Sequence, residues 1–249
     1  MKPVTEYIAD GMIFYGEIPH VMGTRLEMLV VGMEEGTVMA LWERLHELVF
    51  RLDGMLNRFD PESEVSRLNM SGAPAGCPMS AELASVFLLA QEYKTKTQGL
   101  FDVTWDGGKL DFGGFAKGYF LKVCGEILRE ASVECAFVDF GNSSILGIGH
   151  HPYGGSWKVS VVNPYSHLPV KEVSLMDSAM STSGNTPSYS GHICNPRTGE
   201  KCSDRRLVCV VSPDPLEAEV LSTVLMMAGP DEAASLQKEF PDAEFYTFI

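Results

Sequence analysis

The segment Asp111-Phe112-Gly113-Gly114-Phe115-Ala116-Lys117-Gly118-Tyr119 constrains this chain more than any other. Two adjacent glycines let the backbone pass close to a neighbour. A helical pattern (Phe120, Val123, Cys124, Ile127, Leu128) begins immediately after them. A glycine turn that opens a helix exposes N–H groups at the positive end of the helix dipole, an arrangement suited to phosphate. The spacing matches neither the P-loop nor the dinucleotide GxGxxG pattern. A turn into a helix also needs glycine for purely geometric reasons, so the segment gains meaning from its surroundings.

Those surroundings mix helical and extended periods. Residues 11–19 and 25–32 read as two paired strands with Gly23-Thr24 between them. From Glu35 to Leu56 apolar residues recur at Val38, Leu41, Trp42, Leu45, Leu48, Val49, Leu52, Met55 and Leu56, which predicts a long helix. Asn57–Asn69 reads as a polar loop with a turn at Asp60-Pro61. Ser80 is an N-cap for a helix that runs to about Thr97 and stops at Gly99. The glycine turn leads into a helix over 114–131. Short β-runs follow at Cys135–Asp139, Ser144–Ile148, Trp157–Val162, Glu172–Met176 and Leu207–Val211. Pro152–Gly155 is read as a hairpin tip and Ser181–Gly184 as a polar turn. Pro215 opens a helix through Met227, and a helix at Asp231–Phe240 precedes a strand at Glu244–Phe248. Without regular βαβ alternation the expected class is α+β: largely antiparallel sheets packed with helices, in one domain over 1–249.

A net charge of −14 argues against nucleic acid or an anionic membrane surface as partner. An anionic ligand would need local help from a lysine, a helix N-terminus or a metal ion. Six cysteines, at 77, 124, 135, 194, 202 and 209, include no CxxC, so neither zinc spacing nor a disulfide framework is indicated. No apolar run reaches membrane-spanning length, and no basic-then-apolar signal opens the chain. The expectation is a cytoplasmic protein; the alternative is an exported one whose leader is absent from this sequence.

Further phrases accompany the glycine turn: Met22-Gly23-Thr24, Phe59-Asp60-Pro61-Glu62-Ser63-Glu64-Val65-Ser66-Arg67-Leu68-Asn69, Ser181-Thr182-Ser183-Gly184, Gly191-His192-Ile193-Cys194-Asn195-Pro196-Arg197-Thr198-Gly199 and Ala218-Glu219-Val220-Leu221-Ser222-Thr223. In this order they resemble the FAD:protein FMN transferase (ApbE) family, over Met22 to Gly229. The resemblance implies that a serine or threonine hydroxyl of an acceptor protein attacks the FMN-side phosphorus of FAD and AMP leaves. It implies FAD binding by Met22, Thr24, Phe59, Asp111, Gly113, Gly114, Lys117, Thr182, Ser183, Gly184 and His192. Lys117 would neutralise pyrophosphate charge, and His192 would lie beside the flavin diphosphate, where a neutral imidazole could take the hydroxyl proton or stabilise a phosphate oxygen. Mg2+ would be held by the backbone carbonyl of Ala116 with Glu219 and Thr223, which four-residue spacing puts on one helix face. FAD hydrolysis by the same site, or flavin binding without catalysis, are the rival readings.

The chain departs from the family's pattern at three places. Glu219 stands where aspartate is usual, and its oxygens reach one methylene further. Asn195 also replaces an aspartate, keeping turn chemistry without charge. Six residues separate Thr104 from Asp111 where members carry a long insert, so this is a trimmed member whose cleft is more open or is completed by another subunit. Lys117→Ala is expected to weaken FAD binding and to leave the fold intact, since exposed substitutions usually change stability little.

Overall fold

The apolar stripe over residues 35–56 becomes α1 (Glu35–Leu56) in the computed structural model, which describes residues 3–72 and 78–249. The buried side chains of α1 are those of the predicted stripe, Val38 through Leu56. Cys77 lies outside the described residues. The stripe packs on a sheet built from both ends of the chain: β1 (Val4–Ile8), β2 (Ile13–Val21), β3 (Thr24–Val31), β4 (Cys135–Phe140), β5 (Ser144–Gly149), β8 (Ser178–Gly184), β9 (Leu207–Ser212) and β10 (Glu244–Phe248). These eight strands are neighbours in that order. Two more, β6 (Trp157–Val162) and β7 (Pro169–Leu175), pair separately. Every pairing is antiparallel.

Strand alternation sorts side chains into two cores. Val208 and Val210 of β9 join the helices' core, whereas Leu207, Cys209 and Val211 join a second cluster with Trp157, Val161, Val173 and Leu175. The large sheet is therefore sandwiched between the helices and the β6–β7 pair. All of β9 is buried, which explains why its sequence is a continuous apolar run rather than an alternation. Burial pushes the Cys124 and Cys209 thiols up to about 12, as fits small core residues. The five described cysteines are free. Among the described residues no helix is long and apolar enough to cross a membrane.

The other helices are α2 (Glu64–Met70), α3 (Ala81–Lys96), α4 (Ala116–Glu130), α5 (Pro215–Leu225) and α6 (Pro230–Glu239). Four features differ from the sequence reading. α2 lies where a loop was expected; Ser63 caps it by accepting from the Ser66 amide at 3.0 Å. β1 pairs with β2 at the sheet edge. Ser181–Gly184 is not a turn but the end of β8, a central strand between β5 and β9. Its polar sequence misleads because its hydroxyls meet partners inside the protein. Pro152–Gly155 is a tight turn, closed by the Gly154 amide donating to the His151 carbonyl at 2.8 Å. It joins β5 and β6, which belong to different sheets, so it is not a hairpin tip.

The stretch before the glycine turn closes on itself. Asp106 and Lys109 pair across Gly107 and Gly108, whose φ values are +60° and +86°. Positive φ at both central positions is the geometry of a two-residue hairpin turn, and it spans the place where a longer insert would sit.

α4 and α5 meet at Gly118. A Cβ there would lie 2.5 Å from Glu219 Cβ and 3.0 Å from Leu216 Cα. Glycine permits the approach that brings the α4 start onto the middle of α5. Gly118→Ala is expected to lower unfolding free energy by about 1–3 kcal/mol, the usual cost of overpacking. Urea denaturation measures it, and an unchanged midpoint would show that the helices separate freely.

Candidate active site

The crossing of α4 and α5 buries a carboxylate. Glu219 is 4% exposed, so its charge needs partners on site. Oε1 faces Lys117 Nζ at 3.1 Å. Oε2 accepts from Ser144 Oγ of β5 at 2.5 Å and from Ser181 Oγ of β8 at 2.8 Å. Lys117 also donates to Ser143 Oγ at 2.8 Å and to Ser144 Oγ at 2.7 Å. An ammonium has three N–H bonds, and these three partners use them all. Lys117 is thus an internal tie between α4, the β4–β5 turn and α5, not a solvated residue.

The hydroxyl network continues outward. Ser181 Oγ lies 3.0 Å from Ser222 Oγ, and Ser222 Oγ lies 2.9 Å from Ser183 Oγ. Thr182 is fixed by its amide, which donates to the Ser143 carbonyl at 2.7 Å. Gly184 ends the strand opposite Leu207. Ser144, Ser181 and Ser222 were not singled out from the sequence, because isolated serines carry no periodic signal. The legible trace of Ser181 and Ser222 was their place inside the family phrases; Ser144 stood only at the start of a β-run.

The glycine turn is held from the other side. Asp111 Oδ1 accepts from the Gly113 amide at 2.9 Å and pairs with Arg58 Nε at 3.1 Å. Asn69 clamps Leu110 with two bonds, donating to its carbonyl at 2.9 Å and accepting from its amide at 2.7 Å. The Arg58 guanidinium stacks 4.4 Å from the Phe59 ring centroid. Phe59 itself is 76% exposed. Gly114 packs on Thr223, with a Cβ there falling 3.0 Å from Thr223 Oγ1. α4 begins without the side-chain cap that Ser63, Ser80 and Asp214 give α2, α3 and α5. Its first-turn amides at Lys117 and Gly118 therefore have no capping side chain. The Met22-Gly23-Thr24 turn meets the chain just before Ser143. Thr24 packs on Gly141, where a Cβ would fall 2.6 Å from its Oγ1.

His192 lies in the 185–206 segment between β8 and β9. Tyr189 stacks on its ring at 4.3 Å, and desolvation holds its pKa below the ordinary imidazole value. No described hydrogen bond or ring contact joins it to Lys117 or Glu219. The segment is braced by Asn185, which donates to the carbonyls of Cys202 and Asp204 at 3.1 and 2.8 Å. Asn195 performs the turn role expected of it, accepting from the Arg197 amide at 2.9 Å.

Ala116, Glu219 and Thr223 are hard-oxygen donors, but as arranged they do not fit a magnesium ion. Both Glu219 oxygens are taken, one by an ammonium. The Thr223 hydroxyl donates to the Glu219 backbone carbonyl at 3.3 Å. Among the described residues no group of three His, Cys, Asp or Glu side chains could hold a metal.

The architecture is that of solved flavin transferases. The chain superposes on the flavin transferase ApbE of Vibrio cholerae with a TM-score of 0.76 at 19% identity, covering 99% of this chain and 96% of that one. The ApbE protein of Thermotoga maritima gives 0.77 at 22% identity, covering 93% of each chain. An FAD:protein FMN transferase of Klebsiella pneumoniae (strain 342) is 20% identical over 88% of this chain and 79% of its own length. The ApbE family model matches residues 22–108 and 105–247, and the chain belongs to that family. The two matched stretches meet at the Gly107-Gly108 turn, where the sequence reads as trimmed.

Lys117→Met would strand the Glu219 charge in the interior. Loss of one partner of a buried pair costs about 3–5 kcal/mol, so this variant is expected to unfold at markedly lower urea. A midpoint within error of wild type would restore the reading of Lys117 as a solvated residue.

Proposed function

We propose that this chain transfers FMN from FAD to a serine or threonine hydroxyl of an acceptor protein and releases AMP. One juxtaposition supports this most. The exposed Phe59 ring stacks on Arg58, Arg58 pairs with Asp111, and the Asp111–Gly114 turn runs directly into the uncapped start of α4 that carries Lys117. A flat ring system and an anionic pyrophosphate need such a surface together: an aromatic face for stacking and backbone amides for phosphate.

In the reaction the acceptor oxygen forms a bond to the FMN-side phosphorus. The bond from that phosphorus to the bridging oxygen breaks, and the bridging oxygen leaves with AMP. The hydroxyl proton goes to a base, and neutral His192 is the candidate. Catalysis of this kind is positioning plus electrostatic stabilisation of the phosphoryl oxygens. Here the positive end of α4 supplies the stabilisation. Arg58, fixed by Asp111 and lying beside Phe59, adds a guanidinium at the glycine turn. No step is assigned to a metal, because the donors expected to hold one are already paired.

Incubation of the chain with FAD and a candidate flavoprotein, followed by mass spectrometry, tests the proposal. The expected result is an FMN-sized mass gain on the acceptor, with one AMP per adduct. AMP without an adduct would mean hydrolysis, and bound flavin without AMP would mean a non-catalytic binder.

Two expectations follow from named residues. Phe59→Ala should weaken FAD binding by about 1–3 kcal/mol, the usual worth of base–aromatic stacking, with little change in stability; calorimetry reads both affinity and integrity. If His192 is the base, kcat/KM should be flat through neutral pH. It should fall only on the acid side, below the ordinary imidazole value of about 6.5, because the lowered pKa keeps the ring unprotonated there. A profile that rises as pH falls would remove His192 from that role.

A further inference from the structure

We infer that the ammonium of Lys117, and not a divalent metal, is the resident cation at Glu219, and that Ser144 and Ser181 are the positioning residues that hold the carboxylate to it. The argument starts from reach. Glutamate carries its carboxylate one methylene further from the α5 backbone than aspartate would. At position 219 that reach takes Oε2 to Ser144 of β5 and Ser181 of β8, at 2.5 and 2.8 Å. Both serines are almost wholly buried, at 1% and 2% exposure. A buried hydroxyl without a partner is costly, and these two find theirs in the same carboxylate oxygen.

The other oxygen meets Lys117 at 3.1 Å. With Ser143 and Ser144 also accepting from it, the ammonium has no N–H left for a phosphate. The arrangement is closed: one anion, one cation and three hydroxyls, each bonded within the group. Magnesium demands near-octahedral oxygen ligands at about 2.0–2.1 Å. To bind Glu219 it would have to displace the ammonium or the serines, and among the described residues no group of three His, Cys, Asp or Glu side chains is assembled to hold it. The claim about Glu219 rests on this geometry alone. Its consequence, that FAD binding by this chain does not depend on magnesium at Glu219, rests on the flavin-transfer reading.

The test uses magnesium alone and magnesium with FAD, on the full chain. Melting of the wild-type chain should show the same Tm in millimolar magnesium and in chelator. FAD affinity should likewise agree within about twofold between the two conditions. Lys117→Met frees the carboxylate, so magnesium should raise its Tm, and Lys117→Met/Glu219→Gln should lose that response. The inference is overturned if magnesium raises the wild-type Tm or tightens FAD binding and Glu219→Gln abolishes the effect. A magnesium effect that survives Glu219→Gln comes from elsewhere and leaves the inference standing. If Lys117→Met fails to fold, the comparison of wild type with Glu219→Gln decides alone. If FAD does not bind under either condition, the flavin-transfer reading fails, and the melting arm still decides what binds Glu219.

Discussion

A single buried ion pair organises the centre of this protein. Lys117 opens α4, and Glu219 lies on α5. Between them stand the serines of the β4–β5 turn, β5 and β8. A charge as buried as Glu219 is tolerated only with its partners in place, so the pair sets how these elements meet. The close approach at Gly118 and the packing of Gly114 on Thr223 follow from the same requirement. So does the odd composition of β8, a central strand rich in serine and threonine.

Around this pair the fold separates structural from exposed chemistry. The large sheet is covered on one face by helices and on the other by β6 and β7, which leaves its interior residues to packing. Exposed chemistry gathers at loops. Phe59, Arg58 and Asp111 gather at the glycine turn, and Tyr189 and His192 stack in the segment between β8 and β9. Among the described residues no hydrogen bond, ion pair or ring contact joins these two groups. In the proposed reaction the flavin nucleotide would occupy the ground between them.

Much of this was legible in the sequence wherever one physical rule dominated. The stripe of α1 is read residue for residue, because a long amphipathic helix has a strong period. The cap at Ser80, Pro215 at the start of α5 and the stop at Gly99 mark ends through local chemistry. The reading failed where tertiary partners override local signals. Ser181–Gly184 looks like a turn because its hydroxyls suggest solvent, yet they face Glu219 and Ser222. α2 was hidden in a polar stretch whose apolar face is only Val65 and Leu68. Lys117 was placed correctly beside the glycines but given the wrong setting. Nothing in a linear sequence says that a lysine's three donors will be used by residues 26, 27 and 102 positions away.

The central claim is that Lys117 and Glu219 act as one unit. A double-mutant cycle in unfolding free energy tests it most directly, comparing wild type, Lys117→Met, Glu219→Gln and the double variant. The account predicts a coupling on the order of 2–3 kcal/mol, toward the upper end of what contacting residues show. The double variant should be more stable than the sum of the two losses implies. Additive losses, with coupling near zero, would contradict the account and return both residues to independent roles.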